Sequence, residues 1–530
     1  MSEPIAILGM GCRYPQAEGL GAFWRLLVEG RDAIAPYPGG RIRALDAEYA
    51  RAAEGKGKIA THLGGFLPEI DKFDAAFFGI SPREAAFIDP QQRLLLEVSW
   101  DALEDAGQTR ESYQGSRTGV FTGLWATDYE QLMYRVSKKP EFYMLTGGGR
   151  STSCGRVSFA FGFEGPSVSV DTACSSSMVA IHLACQSLRL RECDMALAGG
   201  ANAILSSDVT RLFTNAGMLS PDGHCKFGDS SGNGFVRSEG AGMVVLKRLS
   251  DAVAAGDPIY AVIRGSSVNN DGRTSGLMVT PSRAGQQKMM LDAWQEAGVT
   301  GADIAYIEAH GTGTSVGDPV EIGAIADALR TAGATGRVPI GSVKTNIGHT
   351  ESAAGVAGVI KAALVLHEGV IPPSLHHVNP NPGIDWEGGP VEVVTEKRLL
   401  PARVDGKVRS VGASSFGITG TNSHMLLGEF VSQKHETAEI PASFLLPLTG
   451  YTAEGLRGNA RRWIEFLKSG LSAGDLAEVC YRAGARRTHL DHRFAAIGSD
   501  AAELRGQLEA FLAREASASP EAGVVDVAPV

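Results

Sequence analysis

The 530-residue sequence lacks any long uncharged apolar run. A membrane-spanning helix needs about 18 to 20 predominantly apolar residues, and the best candidate, residues 353–370, is interrupted by Lys361 and His367. The first residues, Met-Ser-Glu-Pro-Ile-Ala-Ile, also lack the basic segment and apolar core of a signal peptide. We therefore predict a protein that neither crosses a membrane nor is secreted.

The sequence also lacks an excess of positive charge and closely paired cysteines. Lys and Arg number 49 against 59 Asp and Glu, so the formal net charge is −10. Such a surface repels the phosphates of a nucleic acid. The seven cysteines are an odd number without close pairing, which favours a reducing compartment. We therefore predict a cytoplasmic protein that binds no nucleic acid.

Glycine is in excess, with 66 residues, and so many glycines indicate tight turns and close backbone approaches. Short apolar runs alternate with longer helical patterns, and this alternation predicts layered α/β structure. A strand that leads to a reactive side chain and then into an Ala-rich helix occurs twice, at residues 167–191 and 338–366. We interpret this as a duplicated half-domain. The predicted strands of the main domain are residues 4–8, 118–122, 167–171, 195–198, 242–246, 261–265, 306–309 and 411–413, and its predicted long helices are residues 20–29, 90–106, 175–191, 284–297, 318–329 and 352–366.

The composition changes near residue 430. Residues 431–440 are mostly polar and contain no glycine, as in a linker. Two short strands and three helices are predicted after this segment, which together make a small α/β domain. The predicted divisions are a main domain of residues 1–429, with halves of about 1–250 and 251–429, a small domain of residues 430–514, and an interdomain tail of residues 515–530.

Several familiar motifs begin in the sequence but are not completed. Gly9-Met-Gly11 lacks the third glycine of a dinucleotide-binding fingerprint. Gly228-Asp-Ser-Ser-Gly232 resembles a hydrolase nucleophile motif, but a strand-like run follows it instead of a helix. The same stretch begins like a calcium-binding loop, yet its twelfth position is Gly240 and not the bidentate glutamate. Neither Cys-x-x-Cys nor His-x-x-x-His occurs, so we predict no metal site.

Cys174 is the first candidate functional residue. It follows a predicted strand and begins a helix-forming run. The N–H groups and dipole at a helix N-terminus favour an anion, which lowers the pKa of a thiol and makes it a nucleophile. A free cysteine is equally often a small buried hydrophobic residue, and this segment alone leaves both interpretations open.

Two histidines lie at similar junctions. His310 follows an apolar strand and precedes the glycine-rich run Gly311-Thr-Gly-Thr314, and His349 lies between a strand and an Ala-rich helix. A glycine-rich loop at a strand end is a common place for functional residues. One such histidine is more often structural than catalytic, but three reactive side chains at strand–helix junctions predict one shared active site.

These three segments resemble the active-site signatures of β-ketoacyl synthases. Residues 4–428 as a whole are similar to the ketosynthase domain of modular type I polyketide synthases, and residues 430–530 resemble the linker domain that follows it. The resemblance implies a thiolase-like fold, in which two similar α/β halves form a five-layered αβαβα core. It also implies a homodimer formed through the strand before the nucleophile, here residues 167–171. The similarity extends to residues 89–97, 199–202, 235–240 and 415–422.

The reaction that the resemblance implies is a decarboxylative Claisen condensation in polyketide chain elongation. Cys174 is expected to carry the growing acyl chain, and His310 and His349 to donate N–H groups to the enolate of a malonyl-type extender. The backbone amides of Cys174 and Phe416 are expected to form the oxyanion hole. Acyl carrier protein is the implied partner, together with the acyltransferase and other domains of the same synthase.

Four further residues receive supporting roles from the resemblance. Lys344 and Glu351 are expected to form a buried network that orients His349; a purely structural ion pair is the alternative. Thr312 and Thr314 are expected to bind the phosphopantetheine arm, whereas threonines at such junctions more often only cap helices. No cofactor is expected, because the arm arrives on the carrier protein.

Two alternative functions stay open. The domain could serve a type I fatty acid synthase, or it could be a non-elongating ketosynthase that only passes acyl groups on. A thiolase is disfavoured, because that enzyme needs a second catalytic cysteine in its C-terminal third, where Cys480 lies outside the core domain.

Overall fold

The computed structural model describes residues 2–273, 277–402, 407–431 and 440–517. The chain divides into two compact units. One consists of Met1–Ala106 with Tyr113–Val431, and the other of Gly107–Ser112 with Ser432–Val530. Among the described residues, no helix has both the length and the apolar character that crossing a membrane requires.

One mixed sheet runs through the larger unit. A short extra strand, Ala17–Glu18, pairs beside the strand Ile5–Tyr14. From edge to edge the main strands are Val391–Val393, Val338–Gly341, Ile304–Glu308, Ser410–Phe416, Thr421–Gly428, Ala261–Asn270, Ile5–Tyr14, Gly240–Arg248, Met195–Asn202, Thr118–Gly123 and Ser167–Val170.

The sheet consists of two halves with the same pairing pattern, which meet where Ile5–Tyr14 pairs with Ala261–Asn270. The edge strand Val391–Val393 adds a sixth strand to the second half. Without it each half has five main strands, and the first, fifth and fourth of these in chain order are antiparallel neighbours. The second and third strands then follow in parallel. The predicted duplication is therefore confirmed, because two stretches of chain without shared strands adopt one topology.

Helices cover both faces of each sheet half. Because the two halves share the central helices, the layers are helix, sheet, helix, sheet and helix, five in all. The central layer holds Ser176–Arg189 and Ala354–Glu368, one helix from each half. Pro90–Asp105 packs on the outer face of the first half, and Arg283–Ala297 and Gly317–Thr331 pack on the outer face of the second. Each sheet half is thus buried on both sides.

Burial on both faces explains the continuous apolar runs of the strands. In the first strand, Ile5 and Ile7 pack in the central cluster, whereas Ala6 and Leu8 pack in the outer one. Successive side chains of a strand point to opposite faces, so both sets must be apolar when helices lie on both sides. Each fully buried isoleucine or leucine side chain contributes about 1.5–3 kcal/mol.

The larger unit contains further helices and short strands outside these layers. The helices are Leu20–Val28, Arg43–Ala53, Pro82–Ala85, Asp128–Val136, Phe142–Gly148, Arg150–Phe161, Asp208–Asn215, Leu249–Ala254 and Lys344–Ile347, and the short strands are Ala35–Pro36, Leu63–Gly64, Val370–Ile371 and Arg398–Leu399.

The smaller unit has its own sheet and its own core. Its strands Phe444–Gly450 and His492–Gly498 pair antiparallel. Three helices, Ala453–Phe466, Ala473–Ala485 and Ala501–Ser517, accompany them. Apolar side chains from both strands and all three helices form a separate buried cluster.

Candidate active site

Cys174 lies between the edge strand Ser167–Val170 and the central helix Ser176–Arg189. A 3₁₀ turn, Ala173–Ser175, joins the two elements. Ala173 has a φ of 56°, in the left-handed region that costs a non-glycine residue about 1–3 kcal/mol. Ser415 Oγ donates a hydrogen bond to the Cys174 carbonyl at 2.9 Å. The turn that presents the sulfur is therefore strained and is held by the neighbouring sheet half.

The environment of the sulfur differs from the prediction. Burial, together with the nearby Glu351 carboxylate, raises the pKa of the Cys174 thiol to about 12. Lys344 and the backbone N–H groups of Ile418 and Cys174 itself oppose this rise. The predicted lowering of the thiol pKa by the helix start is wrong for the resting protein, because removing a thiolate from water outweighs the stabilisation by the amides.

The pH dependence of alkylation tests this assignment. Only the thiolate reacts, so the rate of Cys174 alkylation by iodoacetamide should rise about tenfold per pH unit between neutral pH and roughly pH 9. Peptide mass spectrometry, with Cys174→Ser as the control, identifies the labelled site. A rate that reaches a plateau near neutral pH would contradict the raised pKa.

His310 is fixed at the end of the strand Ile304–Glu308 by its own backbone. Its N–H and that of Gly311 donate to the Glu321 carboxylate at 2.6 and 2.8 Å. The backbone N–H of Phe416 donates to Nδ1 of the His310 ring at 3.3 Å. Because an amide can only donate, Nδ1 is unprotonated and Nε2 carries the ring proton. Burial, with smaller effects of Lys344 and His349, lowers the pKa of His310 well below its usual value.

His349 is held in the same tautomer by a different amide. The backbone N–H of Glu351 donates to His349 Nδ1 at 3.2 Å, so Nε2 again carries the proton. The rings of His349 and His310 meet edge to face, with centroids 5.3 Å apart and an interplanar angle of 86°. Burial lowers the pKa of His349 well below 6.5, and the positive charges of Lys344 and Arg237 lower it further. Both imidazoles are therefore neutral N–H donors near neutral pH.

The structure brings the three candidate catalytic residues into one pocket of about 150 Å³. The three residues are far apart in the sequence: more than 130 positions separate Cys174 from His310, and more than 30 separate His310 from His349. Most of the remaining lining is apolar or aromatic, including Trp125 and Phe235. Two neutral N–H donors beside a thiol in such a pocket can stabilise an oxyanion, since hydrogen bonds to developing charge are strong where water is excluded.

The predicted network of Lys344 with Glu351 is replaced by two separate arrangements. The ammonium of Lys344 donates to the carbonyl of His310, and burial lowers its pKa. Glu351 instead accepts from Arg237 Nε at 2.5 Å and Nη2 at 3.0 Å, and from Trp125 Nε1 at 2.9 Å. Arg237 and Glu351 are both almost fully buried. Glu351 thus positions His349 through its backbone amide, while its side chain forms a buried ion pair.

Removing one partner of this ion pair should be costly. Arg237→Met leaves the Glu351 charge buried and unpaired, which typically costs about 3–5 kcal/mol. We expect that loss in the free energy of unfolding, measured by urea denaturation followed by tryptophan fluorescence. The double variant Arg237→Met/Glu351→Gln should recover part of it; a single variant as stable as the parent would contradict the assignment.

The predicted oxyanion hole needs a correction at one residue. The N–H of Phe416 is directed at the His310 ring and not at the sulfur. The backbone N–H groups that lower the pKa of the Cys174 thiol are those of Ile418 and of Cys174 itself. The structure therefore favours Cys174 and Ile418 as the donor pair, and Phe416 positions His310. The sequence carries no signal that distinguishes two amides two residues apart.

Thr312 and Thr314 both line the pocket. Their hydroxyl oxygens are 3.3 Å apart. The Oγ1 of Thr314 also accepts the N–H of Gly317 at 3.1 Å, at the start of the helix Gly317–Thr331. Thr314 thus caps this helix, and its hydroxyl also lies in the pocket lining, where a substrate can contact it.

Two carboxylates that the sequence analysis missed shape the loop after His310. Glu321 accepts the two amides described above. Asp318 accepts the N–H of Gly313 at 3.1 Å and that of Gly228 at 2.9 Å. Burial raises the pKa of both carboxyls, and the amide donors oppose the rise. The available signal was the run Asp318-Pro-Val-Glu321, which places two acids in the first turns of a helix directly after a glycine-rich loop.

Comparison with family models identifies matches along most of the chain. The model "Beta-ketoacyl synthase, N-terminal domain" matches residues 2–252, and "Beta-ketoacyl synthase, C-terminal domain" matches residues 260–378. A third, "Ketoacyl-synthetase C-terminal extension", matches residues 380–496.

Curated relatives are much longer proteins. The chain is 44% identical to polyketide synthase GfsE of Streptomyces halstedii, over 99% of this chain and 14% of that protein. It is 43% identical to the spectinabilin polyketide synthase system protein NorA of Streptomyces orinoci, over 96% of this chain and 27% of that protein. The chain thus spans less than a third of the length of these two relatives.

Solved structures of similar size match over nearly the whole chain. The ketosynthase from module 6 of the bacillaene synthase from Bacillus subtilis 168 is 35% identical, with a TM-score of 0.86 over 97% of this chain and 85% of that one. The oxazolomycin ketosynthase domain of Streptomyces albus JA3453 is 37% identical, with a TM-score of 0.88 over 98% and 89%.

Proposed function

Because the chain belongs to the β-ketoacyl synthase family, and is thus a thiolase-like ketosynthase and a condensing acyltransferase, we propose that it elongates a polyketide chain by decarboxylative condensation with a malonyl-type extender. The observation that carries the proposal is the pairing of two neutral Nε2–H imidazoles with a thiol in one pocket. The relatives that match along nearly the whole chain are polyketide synthases, which supports this role over fatty acid synthesis.

In the first step, Cys174 accepts the acyl chain by thioester exchange. The sulfur bonds to the acyl carbon, the bond to the pantetheine sulfur breaks, and the thiol proton ends on that leaving sulfur. The amides of Cys174 and Ile418 stabilise the tetrahedral oxyanion in this proposal; one such donor is worth on the order of 3 kcal/mol. Neither imidazole has a free lone pair to act as base, since each Nδ1 accepts an amide and each Nε2 is protonated.

In the second step, the extender loses CO₂ while the two imidazoles bind its thioester oxygen. His310 and His349 donate their Nε2–H groups to the thioester oxygen, which becomes an enolate as the bond to the carboxylate carbon breaks. The enolate carbon then attacks the acyl carbon on Cys174, and the cysteine sulfur leaves as a thiolate. Lys344 and the two amides stabilise that thiolate until it takes up a proton.

The partners and location belong to the same proposal. A malonyl-type thioester needs a carrier, and acyl carrier protein supplies it on a phosphopantetheine arm that passes Thr312 and Thr314. The reaction needs no cofactor, because the release of CO₂ from the extender supplies the driving force. A reduced Cys174 thiol is required, which supports a cytoplasmic location within a larger synthase.

Intact-protein mass spectrometry tests the function directly. The protein is incubated with acyl-carrier protein and then with malonyl-carrier protein. We expect an acyl adduct on Cys174 that disappears as β-ketoacyl-carrier protein accumulates. An adduct that forms and never converts would favour the non-elongating alternative, and no adduct at all would contradict the proposal.

We also propose a homodimer through the outer strand Ser167–Val170. Within the described part of the chain this strand lies at the end of the sheet, where unpaired backbone groups can pair with another strand. Large apolar side chains are exposed on it and on two preceding helices: Phe142 at 74%, Leu145 at 62%, Phe159 at 89% and Val168 at 39%. Exposed apolar surface of this kind marks an interaction site.

Light scattering with size exclusion tests the dimer. We expect twice the mass of the chain for the parent protein, and a monomer for Phe159→Glu/Val168→Lys. Leu212→Glu, at another exposed apolar position, is the matched control and should remain dimeric. A monomeric parent, or a dimer unaffected by the double variant, would argue against this interface.

A further inference from the structure

Three side chains with metal-binding chemistry converge outside the active pocket. Among the residues that the structure describes, Asp32, His224 and His376 form a group whose donor atoms all lie within 4.8 Å of one another. The same Asp32 oxygen, Oδ2, is 3.1 Å from His224 Nδ1 and 3.1 Å from His376 Nε2. The two imidazole rings lie at a centroid distance of 4.4 Å. None of the three belongs to the lining of the active pocket.

The donor set and its spacing suit a first-row transition metal. Two imidazole nitrogens and one carboxylate oxygen are the ligands of many zinc sites, which leave a fourth position for water. Ligands about 2.0–2.2 Å from a tetrahedral ion are separated from each other by roughly 3.3–3.5 Å. The two Asp32 contacts are slightly shorter than this spacing, so a small opening of the cluster would admit an ion.

The cluster is held in place before any ion binds. Asp32 Oδ1 accepts the N–H of Ile34 at 2.9 Å, which fixes the carboxylate and leaves Oδ2 toward the histidines; such outer contacts orient metal ligands. His376 has a φ of 60°, in the left-handed region that a non-glycine residue rarely adopts. The N–H of His224 faces Ser220 Oγ at 3.4 Å, within a turn. All three side chains are partly exposed, so an ion can reach them.

The geometry points to a structural metal site: Asp32, His224 and His376 bind one divalent ion of the zinc class and tie together three segments of the larger unit. One of these segments continues from His224 into Phe227 and Gly228, which lies against the loop after His310. There, the backbone N–H of Gly228 donates to the Asp318 carboxylate. The Phe227 ring packs so closely on Gly311 that a Cβ added to this glycine would come within 3 Å of it. The ion takes no part in the condensation.

This site has no local sequence pattern. Its ligands are 192 and 152 positions apart along the chain, by their numbers. A search for closely spaced cysteines and histidines therefore could not find it, and the prediction that the chain has no metal site rests on such a search alone.

Cobalt(II) binding to the full, untagged chain tests the site. All arms carry Cys174→Ala, so that the active-site cysteine cannot bind the ion. The Co²⁺ absorption spectrum reports tetrahedral coordination, and competition with Zn²⁺ gives the affinity for zinc. Asp32→Asn and His224→Arg are the site variants; an arginine at 224 can still pair with Asp32 and so preserves the fold, but it cannot bind a metal. His489→Ala, at an exposed histidine of the smaller unit, is the control.

We expect one equivalent of Co²⁺, displaced by Zn²⁺, with affinity lowered at least about tenfold in both site variants and unchanged in His489→Ala. Zinc should also raise the unfolding temperature of the parent but not of His224→Arg. Absence of tetrahedral Co²⁺, or binding that survives both site variants, would overturn the assignment. These outcomes are independent of condensation activity, so failure of the proposed function does not affect them.

Discussion

Cys174→Ala should abolish the acyl-enzyme and lower condensation at least about 1000-fold, the scale on which enzymes respond to loss of their nucleophile. The same variant should still decarboxylate malonyl-carrier protein. The reason is that the two imidazole donors lie on segments separate from the turn that carries Cys174, and each is fixed by its own amide contact. Enolate formation therefore does not need the sulfur, whereas carbon–carbon bond formation does.

The measurement separates these two steps. Release of ¹⁴CO₂ from labelled malonyl-carrier protein reports decarboxylation, and mass spectrometry of the carrier reports condensation. Cys225→Ala is the matched control, since Cys225 is a buried free thiol outside the pocket lining; it should keep both activities. If Cys174→Ala still produced β-ketoacyl-carrier protein, the nucleophile would be a different residue.

The sequence predicted the layered core well, because its signals are local. Most strands and the helix Ala354–Glu368 are largely apolar, as burial on both faces favours. The predicted helices at 284–297 and 318–329 correspond to Arg283–Ala297 and Gly317–Thr331. Each central helix begins one or two residues after its predicted start, because a 3₁₀ turn precedes it. The first residue of each turn, Ala173 or Glu351, has a positive φ. The duplication thus extends to the strained residue that opens each central helix.

The strand Thr421–Gly428 was missed because its polar residues resemble a loop. Asn422, Ser423 and His424 are nevertheless buried. Both ring nitrogens of His424 have partners: Ser414 Oγ lies 2.9 Å from Nδ1, and Trp294 Nε1 donates to Nε2 at 3.0 Å. Buried polar groups are tolerated when they are hydrogen-bonded. One partner, Ser414, lies on the adjacent strand, but Trp294 lies on a distant segment that local pattern analysis cannot supply.

That Cys174, His310 and His349 share one pocket was predictable, but their electrostatics were not. The strand–helix junctions located Cys174, His310 and His349 in the sequence. The raised thiol pKa, the lowered imidazole pKa values and the Arg237–Glu351 pair all depend on burial by other parts of the chain. A charge is stabilised or destabilised by what surrounds it in three dimensions, so the direction of each shift became visible only with the fold.

Loss of one imidazole should affect decarboxylation far more than acylation. His349→Ala removes one of two N–H donors to the enolate oxygen, and removal of one such donor typically costs about 10²–10³ in rate. Acyl transfer to Cys174 should remain within about a factor of ten, because in the proposed mechanism the amides of Cys174 and Ile418, and not His349, serve that step. His349→Gln presents a side-chain N–H and should recover part of the lost rate, which a merely structural role would not explain.

The pH profile of the parent protein completes this test. Because burial lowers the pKa of both histidines well below 6.5, each stays neutral as the pH falls through the usual range of histidine titration. Decarboxylation, measured as CO₂ release under saturating malonyl-carrier protein, should therefore stay flat from roughly pH 8 to pH 6. A loss of rate with a midpoint near 6.5 would show that an imidazole titrates normally. It would also show that the two donors are more exposed to water than their positions in the pocket indicate.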